Sequence, residues 1–466
     1  MTETNSLVHQ PSLLKPIVRL AWPVVVEQLL VLMVGLVDTF LTGQFLETHH
    51  MAAMGQMAYL LWMIPALMSV ISIGTTAVVA REIGAGRRDI ANLVTNQALL
   101  MGLGISLSLL GAFAIAHDRL LDVLQLRPEA KQAAIEYLRW IIPVLPLMMF
   151  QLVGTAAFRG AGNTLSGLLV MGLVNLVNIV LATVLVSGWG GFPKLGWSGL
   201  AIGASMGYLT GALFVIVLLL RGDFGLRLQF SNLKPDWVQM KRILSVGLPG
   251  GLDMMATVFC HLWFLGIINS LGTLAAAAHG LAIRVEAIAY APGSAFQVAA
   301  ATLTGQFLGA EMPQRAAKAV WITSLLCSLT MSSAVLLFFF SSTEVIRCFV
   351  QSQDEELIQQ ASQLLRIVSV GLIPLSVVLV FSGALRGAGD TRGPLVVTFI
   401  CFILIRIPLS YFLACKELPF SWGGEAMVGL GWGVQGAWYA MVSDLIVRAL
   451  LLASRFLVGK WKLLKV

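Results

Sequence analysis

Acidic side chains within otherwise apolar stretches are the residues of this sequence best suited to chemistry. Glu27 and Asp38 lie in one such stretch, 17–45, and are eleven residues apart. On an α-helix that spacing is a rotation of about 20° and a rise of about 16 Å, so both carboxylates would lie on one face. Placing a charged carboxylate inside a membrane costs roughly a few kcal/mol of free energy or more. A carboxylate found there is therefore a candidate functional residue. Such a group could load and release a proton, or bind Na⁺ where several oxygen ligands converge.

Two amides could complete a cation site in the first half of the chain. Asn175 and Asn178 are three residues apart, and at that spacing their side chains share one face of a helix. Both amide oxygens could then point toward the same cavity as Asp38. We therefore expect Asp38, Asn178, Asn175 and Glu27 to form a cation-coupling site.

The second half offers a possible second polar site made of Asp253, Arg284 and Glu286. Arg284 and Glu286 are two residues apart, so they do not face each other on an ideal helix and each needs another partner. Asp444 and Arg448 have the i, i+4 spacing of an intrahelical ion pair. We interpret that pair as structural, because charged side chains inside membranes usually pair with one another.

Signatures of enzymes and of bound cofactors are missing from the sequence. It contains no Walker A motif, no H-E-x-x-H and no G-x-S-x-G, so we expect neither catalytic residues nor ATP as the energy source. The run from Gly431 to Gly436 satisfies G-x-G-x-x-G, but it opens an apolar stretch with no strand before it. Close helix packing explains it better than a dinucleotide site. The five cysteines and the histidines show no metal-binding spacing, and we expect no cofactor and no metal.

The composition places most of the chain in lipid. Of the 466 residues, 58% are hydrophobic and only 11% are charged. Lipid-facing backbone must satisfy its hydrogen bonds within each segment, which predicts an all-α polytopic membrane protein. We predict twelve transmembrane helices at 17–45, 52–80, 93–117, 134–158, 165–188, 197–220, 243–270, 277–308, 318–341, 360–385, 393–415 and 430–457.

The positions of the basic residues predict the orientation in the membrane. With the N-terminus in the cytoplasm, 19 of the 30 Lys and Arg fall on the cytoplasmic side and 8 on the outer side. This excess predicts a multi-pass protein of the cell (inner) membrane with both termini cytoplasmic. The net charge of +7 then reflects this bias and contact with anionic lipid, and nucleic acid is not an expected partner.

The two halves of the chain are related by an internal repeat. Pro23 and Glu27 match Pro249 and Asp253 at an offset of 226, and R-G-A-G-N-T at 159–164 returns as R-G-A-G-D-T at 386–391. The repeat predicts two six-helix pseudo-symmetric lobes in the same orientation. We place the N-terminal lobe at 1–220, a cytoplasmic linker at 221–242 and the C-terminal lobe at 243–466.

The repeated hexapeptide has two interpretations. It could be a gating or ion-contacting loop. It could also be a helix boundary, in which glycine ends one helix in the left-handed conformation and Asn163 or Asp390 caps the next. The second interpretation is simpler and we favour it.

Several of these motifs together resemble the MATE (multidrug and toxic compound extrusion) family over about residues 15–455. The matching motifs are Trp22-Pro23 with Glu27, Val37-Asp38-Thr39, both R-G-A-G turns, Ile283-Arg284-Val285-Glu286 with Pro292, and Gly305 to Ala310.

The resemblance implies a twelve-helix antiporter that exchanges external H⁺ or Na⁺ for cytoplasmic, often cationic, drugs. Asp38 matches the first-helix aspartate that the family uses for cation coupling, and Asn178 matches its fifth-helix asparagine. Ala182 departs from the pattern, which has a second polar ligand there, and the segment 360–385 contains no carboxylate. A hard cation needs several oxygens, so these departures favour protons over Na⁺.

The sequence is compatible with two other classes of function. A flippase for lipids or lipid-linked saccharides would need a more cationic cavity than Arg284 and Arg406 provide. A membrane-embedded transferase or hydrolase would need a His–Asp or Ser–His constellation, which is not apparent. We expect a monomer whose partners are small-molecule substrates and membrane lipid.

Overall fold

The computed structural model describes residues 7–123, 128–350, 354–422 and 425–464, and within them the chain is almost entirely helical. The chain ends, whose cytoplasmic location was predicted, lie outside these residues. A short antiparallel hairpin interrupts the helices and pairs Glu417 with Val428 and Trp422 with Glu425. The helices are α1 Leu14–Phe45, α2 Thr48–Gly84, α3 Arg88–Val123, α4 Pro128–Ile141, α5 Leu145–Gly160, α6 Leu165–Ser187, α7 Trp197–Arg221, α8 Trp237–Ser270, α9 Thr273–Gly309, α10 Pro313–Phe340, α11 Ser342–Phe349, α12 Glu355–Gly387, α13 Arg392–Ile400, α14 Ile407–Ala414 and α15 Gly433–Val458; the strands are β1 Glu417–Trp422 and β2 Glu425–Val428.

Each of the twelve predicted spans is helical in the structure. Among the described residues, eleven spans are long and apolar enough to cross a membrane, with α4 and α5 forming one of them. The remaining predicted span is α15, which is more polar because it carries Asp444, Arg448 and Arg455. The prediction of an all-helical membrane protein is confirmed.

The chain divides into two compact units. The N-terminal unit comprises Trp22–Gly251 and Gly309–Glu311. The C-terminal unit comprises Leu252–Leu308, Met312–Lys465 and the residues that precede Trp22. The divisions fall inside α1, beside Pro23, and inside α8, two residues after Pro249. These two prolines are related by the sequence repeat, so both first helices change unit at matching positions.

Glycines bring α6 and α7 into close contact within the N-terminal unit. They recur at every fourth residue of α7, at Gly199, Gly203, Gly207 and Gly211, and each faces α6 or α5. A Cβ on Gly203 would lie 2.8 Å from the backbone nitrogen of Ala182, closer than a real contact allows. Small residues at this spacing let helix backbones approach each other in membranes.

Amide side chains of α3 fix the segment that follows α7. The Asn92 and Asn96 side chains accept hydrogen bonds from the backbone N–H groups of Arg227 and Gln229, at 2.6 and 2.9 Å. Gln97 accepts one from the Asp236 N–H at 2.9 Å and donates to the carbonyls at 232 and 234. The predicted linker is therefore bound to α3 by its backbone.

Within the C-terminal unit, one spanning segment is irregular. Between α13 and α14 the chain forms a π-helical turn, Cys401–Arg406, in which Cys401, Phe402 and Arg406 are buried. Such turns hold one extra residue and are frequent at functional sites. This turn supplies the buried Arg406 described below.

Candidate functional site

The two R-G-A-G motifs end helices, as the simpler interpretation predicted. Gly162 and Gly389 have φ values of 86° and 87°, the left-handed conformation that glycine adopts freely. The Asn163 side chain accepts a hydrogen bond from the Ser166 N–H at 2.9 Å, and Asp390 accepts one from the Gly393 N–H at 3.2 Å. Each side chain therefore caps the helix that follows.

The arginine of each motif has a second role that the sequence did not predict. Arg159 forms an ion pair with Glu27, and Arg386 donates a hydrogen bond of 2.6 Å to Asp253. The acids are related by the repeat, and so are the arginines, so the two units contain the same anchor between their first and fourth spans. Glu27 also lies against Gly167, where a Cβ would come within 2.7 Å of its Oε2.

These ion pairs change how two predicted site residues are understood. A carboxylate held by an arginine is already compensated and needs no transported cation to offset its charge. The contacts of Glu27 and Asp253 therefore indicate a structural role. Their predicted participation in cation sites stays a prediction that no contact supports.

Asp38 has different surroundings. Its side chain is buried, 6% exposed, and among the described residues no Lys, Arg or His forms an ion pair with it. The Asn178 amide lies within hydrogen-bonding range of the Asp38 carboxylate. The geometry nevertheless leaves Asp38 Oδ1 and both polar atoms of Asn178 buried without a well-formed hydrogen bond. Buried polar atoms are rarely left in this state, so each calls for an explanation.

Asn175 adds a further oxygen to this region. Its amide nitrogen donates to the Met171 carbonyl at 2.9 Å, which leaves Oδ1 buried without a partner in the described part of the chain. Four buried carboxylate or amide oxygens are thus unsatisfied among the described residues of α1 and α6: Oδ1 of Asp38, Asn175 and Asn178, and Oε2 of Glu27. Of the four residues predicted for the coupling site, the structure places Asn178 beside Asp38 and Asn175 one turn away on α6, and it pairs Glu27 with Arg159.

Two tyrosines near Asp38 were missed at the sequence level. Tyr137 on α4 and Tyr208 on α7 both interact electrostatically with the Asp38 carboxylate, and Tyr137 is fully enclosed. Aromatic residues are common in every span of this chain, so composition alone could not single these two out. Their hydroxyl groups bring further polar atoms to the Asp38 region.

The close packing of α6 and α7 explains why a ligand is missing at position 182. The Ala182 side chain is completely buried, and a Cβ on Gly203 would approach it to 2.9 Å. There is no room for the carboxylate or amide that the family pattern has there. The site therefore contains one carboxylate without an ion pair among the described residues, and position 182 adds no ligand to it.

The C-terminal unit buries positive charge instead. Arg448 forms two hydrogen bonds of 2.9 Å to Asp444, which confirms the predicted i, i+4 pair. Arg406 from the π-helical turn pairs with the same carboxylate at 3.0 Å. The guanidinium carbon of Arg448 lies 4.1 Å from the Phe402 ring centroid and that of Arg406 lies 5.2 Å from it. We call Arg406, Asp444, Arg448 and Phe402 the arginine cluster.

The predicted second-lobe site does not assemble as proposed. Asp253 is held by Arg386, and Arg284 is exposed. Glu286 is directed elsewhere: its Oε2 is buried without a hydrogen bond among the described residues, and its charge interacts with that of Arg406. Glu286 therefore lies near the arginine cluster, a grouping of residues from three spans that sequence spacing could not reveal.

Comparisons with known proteins show the family to which the chain belongs. The profile of the family described as MatE matches residues 23–184 and 249–412. The chain is 29% identical to the probable multidrug resistance protein NorM of Thermotoga maritima, over 97% of this chain and 94% of the relative. It is 26% identical to the multidrug resistance protein MdtK of Pectobacterium atrosepticum, over 94% and 93% of the two chains.

Solved structures of similar fold are also known. A crystal structure of MATE in complex with MaL6 superposes with a TM-score of 0.89 at 21% identity and covers 100% of both chains. An outward-facing MATE family transporter of the MOP superfamily gives the same TM-score at 21% identity over 99% of both chains. At this identity the likeness concerns the twelve-helix fold. With the family profile covering most of both halves, the chain belongs to the MatE family of membrane transporters.

Proposed function

We propose that this protein is a secondary active antiporter that exports small organic, cationic or amphipathic compounds from the cytoplasm in exchange for protons. The observation that carries the proposal is Asp38, a buried carboxylate in a membrane span that forms no ion pair with any residue the structure describes. The names of the relatives NorM and MdtK, both multidrug resistance proteins, support drug-like substrates. No ATP-binding motif is present, so an ion gradient supplies the energy.

Protons are the coupling ion in this proposal. A carboxylate that faces neither a cation nor a full set of oxygens can offset its charge by binding a proton. A sodium site would need several converging oxygens, and Ala182 packed against Gly203 cannot supply one. Substrate and proton would then compete for the ionised form of Asp38 and its neighbours on α6.

The protein acts in the cytoplasmic membrane with both termini in the cytoplasm, as the distribution of Lys and Arg favours. It works as a monomer and performs no chemical transformation of its substrate. Membrane lipid is its solvent, and neither a cofactor nor a metal ion takes part in the cycle.

Accumulation of ethidium in cells that lack their main efflux pumps tests the proposal. Cells that express the wild type should accumulate less dye than cells with an empty vector, and Asp38→Asn should abolish the difference. Asp89→Asn, which removes an exposed aspartate at the start of α3, is the matched control and should export normally. Equal membrane expression of all three proteins is confirmed first.

Each outcome tests a different part of the proposal: the role of Asp38, the export of organic cations, or the coupling ion. If Asp38→Asn exports like the wild type, the coupling role of Asp38 is refuted. If the wild type changes the accumulation of no cation in a panel, export of organic cations is refuted. In inverted membrane vesicles, collapse of the pH gradient should stop ethidium uptake, whereas removal of Na⁺ should not. Dependence on Na⁺ would contradict proton coupling.

A further inference from the structure

The arginine cluster occupies the place in the C-terminal unit that Asp38 and Asn175 occupy in the N-terminal unit. The repeat offset of 226 carries Asp38 onto Phe264, and the offset of 227 carries Asn175 onto Phe402. The guanidinium carbon of Arg406 lies 5.8 Å from the Phe264 ring centroid and 5.2 Å from that of Phe402. Where one unit holds a carboxylate without a cation, the other holds cations stacked on aromatic rings.

The charges within the arginine cluster do not balance. Arg406 and Arg448 are 3% and 7% exposed, and they share the single carboxylate of Asp444, which is fully buried. A guanidinium remains charged in proteins, so the cluster alone carries one positive charge inside a membrane span. A buried charge of this kind is costly unless another group compensates it.

Glu286 is the carboxyl group that the structure offers for this purpose. It lies on α9 with its Oε2 buried and without a hydrogen bond in the described part of the chain. Its charge interacts with Arg406, although the two side chains are not within ion-pair distance in this conformation. An ionised Glu286 would neutralise the cluster, and a protonated Glu286 would leave Arg406 with Asp444 alone.

We propose that Glu286 is a second proton-exchanging carboxyl group, one that gives up its proton to form a carboxylate opposite Arg406 and takes it back when that interaction is released. No other reactant is needed, because the step is the transfer of one proton between Glu286 and water. The use of this proton in export rests on the proposed antiport. Binding and release of the proton by Glu286 do not.

Other titratable groups surround this pair. Tyr290 lies one turn further along α9 and interacts with both Glu286 and Arg386. His261 on α8 lies near Arg406, Arg448 and Asp444, and its Nδ1 is 2.8 Å from the Thr257 carbonyl. The thiols of Cys260 and Cys401 border the same cluster. The test must therefore distinguish Glu286 from these neighbours.

Infrared spectroscopy on purified protein in lipid nanodiscs makes this distinction without any transport, because a protonated carboxyl group has its own C=O stretching band. In the wild type, part of this band should disappear as the pH is raised, and that part should be missing in Glu286→Gln. Glu286→Asp should restore a titrating band. Glu356→Gln, at an exposed position on α12, is the control and should keep the part of the titrating C=O band that Glu286→Gln loses.

Ethidium added to the same proteins in weakly buffered solution tests the role of this proton in export. Wild type should release protons on binding the dye, and Glu286→Gln and Asp38→Asn should each release about half as many, since each lacks one of two titrating groups. The double variant should release none. Thermal unfolding confirms that every variant is folded.

The two proposals fail in different ways. If Glu286→Gln has the same infrared titration as the wild type, Glu286 does not exchange a proton and the inference is overturned. If the band titrates but ethidium releases no proton from the wild type, the antiport proposal fails while Glu286 remains a proton-binding group. If only Asp38→Asn lowers the release, Glu286 binds a proton outside the transport cycle, and its proposed part in export is overturned.

Discussion

In the N-terminal unit, Arg159 holds Glu27 close to the first proline; in the C-terminal unit, Arg386 holds Asp253 close to the matching proline. The anchors have kept the same chemistry since the two halves diverged. The polar interiors have not: within the described part of the chain Asp38 is a buried acid without a paired cation, whereas Arg406 and Arg448 share the carboxylate of Asp444.

This difference shows which interactions the fold requires and which it leaves free to change. The anchors join the end of the fourth span of each unit to the first span, so both units depend on them for packing. The buried charged groups, in contrast, differ between the two units. An unbalanced negative charge suits a group that binds protons or organic cations. An unbalanced positive charge needs an acid nearby, and Glu286 supplies it.

The largest effect should come from the same substitution made in the two interiors. Asp444→Asn removes the carboxylate that the buried Arg406 and Arg448 both contact, and we expect it to lower the free energy of unfolding by about 3–5 kcal/mol. Asp38→Asn removes a buried charge that has no counter-ion, so the protein should be as stable as the wild type or more stable.

Thermal unfolding of purified protein in detergent, followed by circular dichroism, measures both changes. Asp89→Asn on the surface of α3 is the reference for the substitution itself. A larger loss of stability in Asp38→Asn than in Asp444→Asn would mean that the two interiors have been assigned the wrong way round.

A second comparison tests whether the two anchors are equivalent. Glu27→Gln and Asp253→Asn should each destabilise the protein by about 1.5–3 kcal/mol, because each weakens a charge-assisted hydrogen bond to a partly buried arginine. Exchanging the two residues of one anchor, as in Asp253→Arg with Arg386→Asp, should recover part of that loss. If Glu27→Gln instead abolished proton-coupled export at full stability, Glu27 would be a coupling residue after all.

The sequence predicted the helices, the repeat and the individual polar residues because these depend on hydropathy and on spacing along the chain. It predicted the Asp444–Arg448 pair for the same reason, since four residues form one helical turn. It did not reveal that Arg406 joins that pair or that Arg159 holds Glu27. Those contacts link residues 38 and 132 positions apart, and their partners depend on how the spans pack together.

The close contact of α6 and α7 gives a third prediction about the N-terminal unit. Ala182→Asn should fail to create a sodium site and should destabilise the protein by about 1–3 kcal/mol, because its side chain would strike Gly203 on α7. Gly203→Ala should have a similar cost. Val180→Asn, at an exposed position on α6, is the control for the cost of placing an amide in this span without a clash with α7, and the loss in Ala182→Asn should exceed it. Sodium-stimulated export by Ala182→Asn would contradict the packing argument.

The smallest expected effect concerns the segments that precede the first helix of each repeat. The segment before α8 is bound through its backbone by Asn92, Asn96 and Gln97, whereas the segment before α1 is held by Arg315, which donates to the Gln10 carbonyl. Asn96→Ala removes the acceptor of the Gln229 N–H, a loss of about 1 kcal/mol. Amide hydrogen exchange at Gln229 should become roughly five-fold faster.

The exchange rates also show whether the segment before α8 opens one hydrogen bond at a time or as a whole. If the three amides act independently, the Asp236 N–H, which is bound by Gln97, should keep its wild-type exchange rate in Asn96→Ala. If the exchange of the Asp236 N–H accelerates by the same factor, the segment opens as one cooperative unit that the three side-chain amides stabilise together. In either case the amides of α10 in the C-terminal unit should be unaffected, because the substituted side chain contacts only its own unit. Faster exchange there would show that the two units are coupled through this segment.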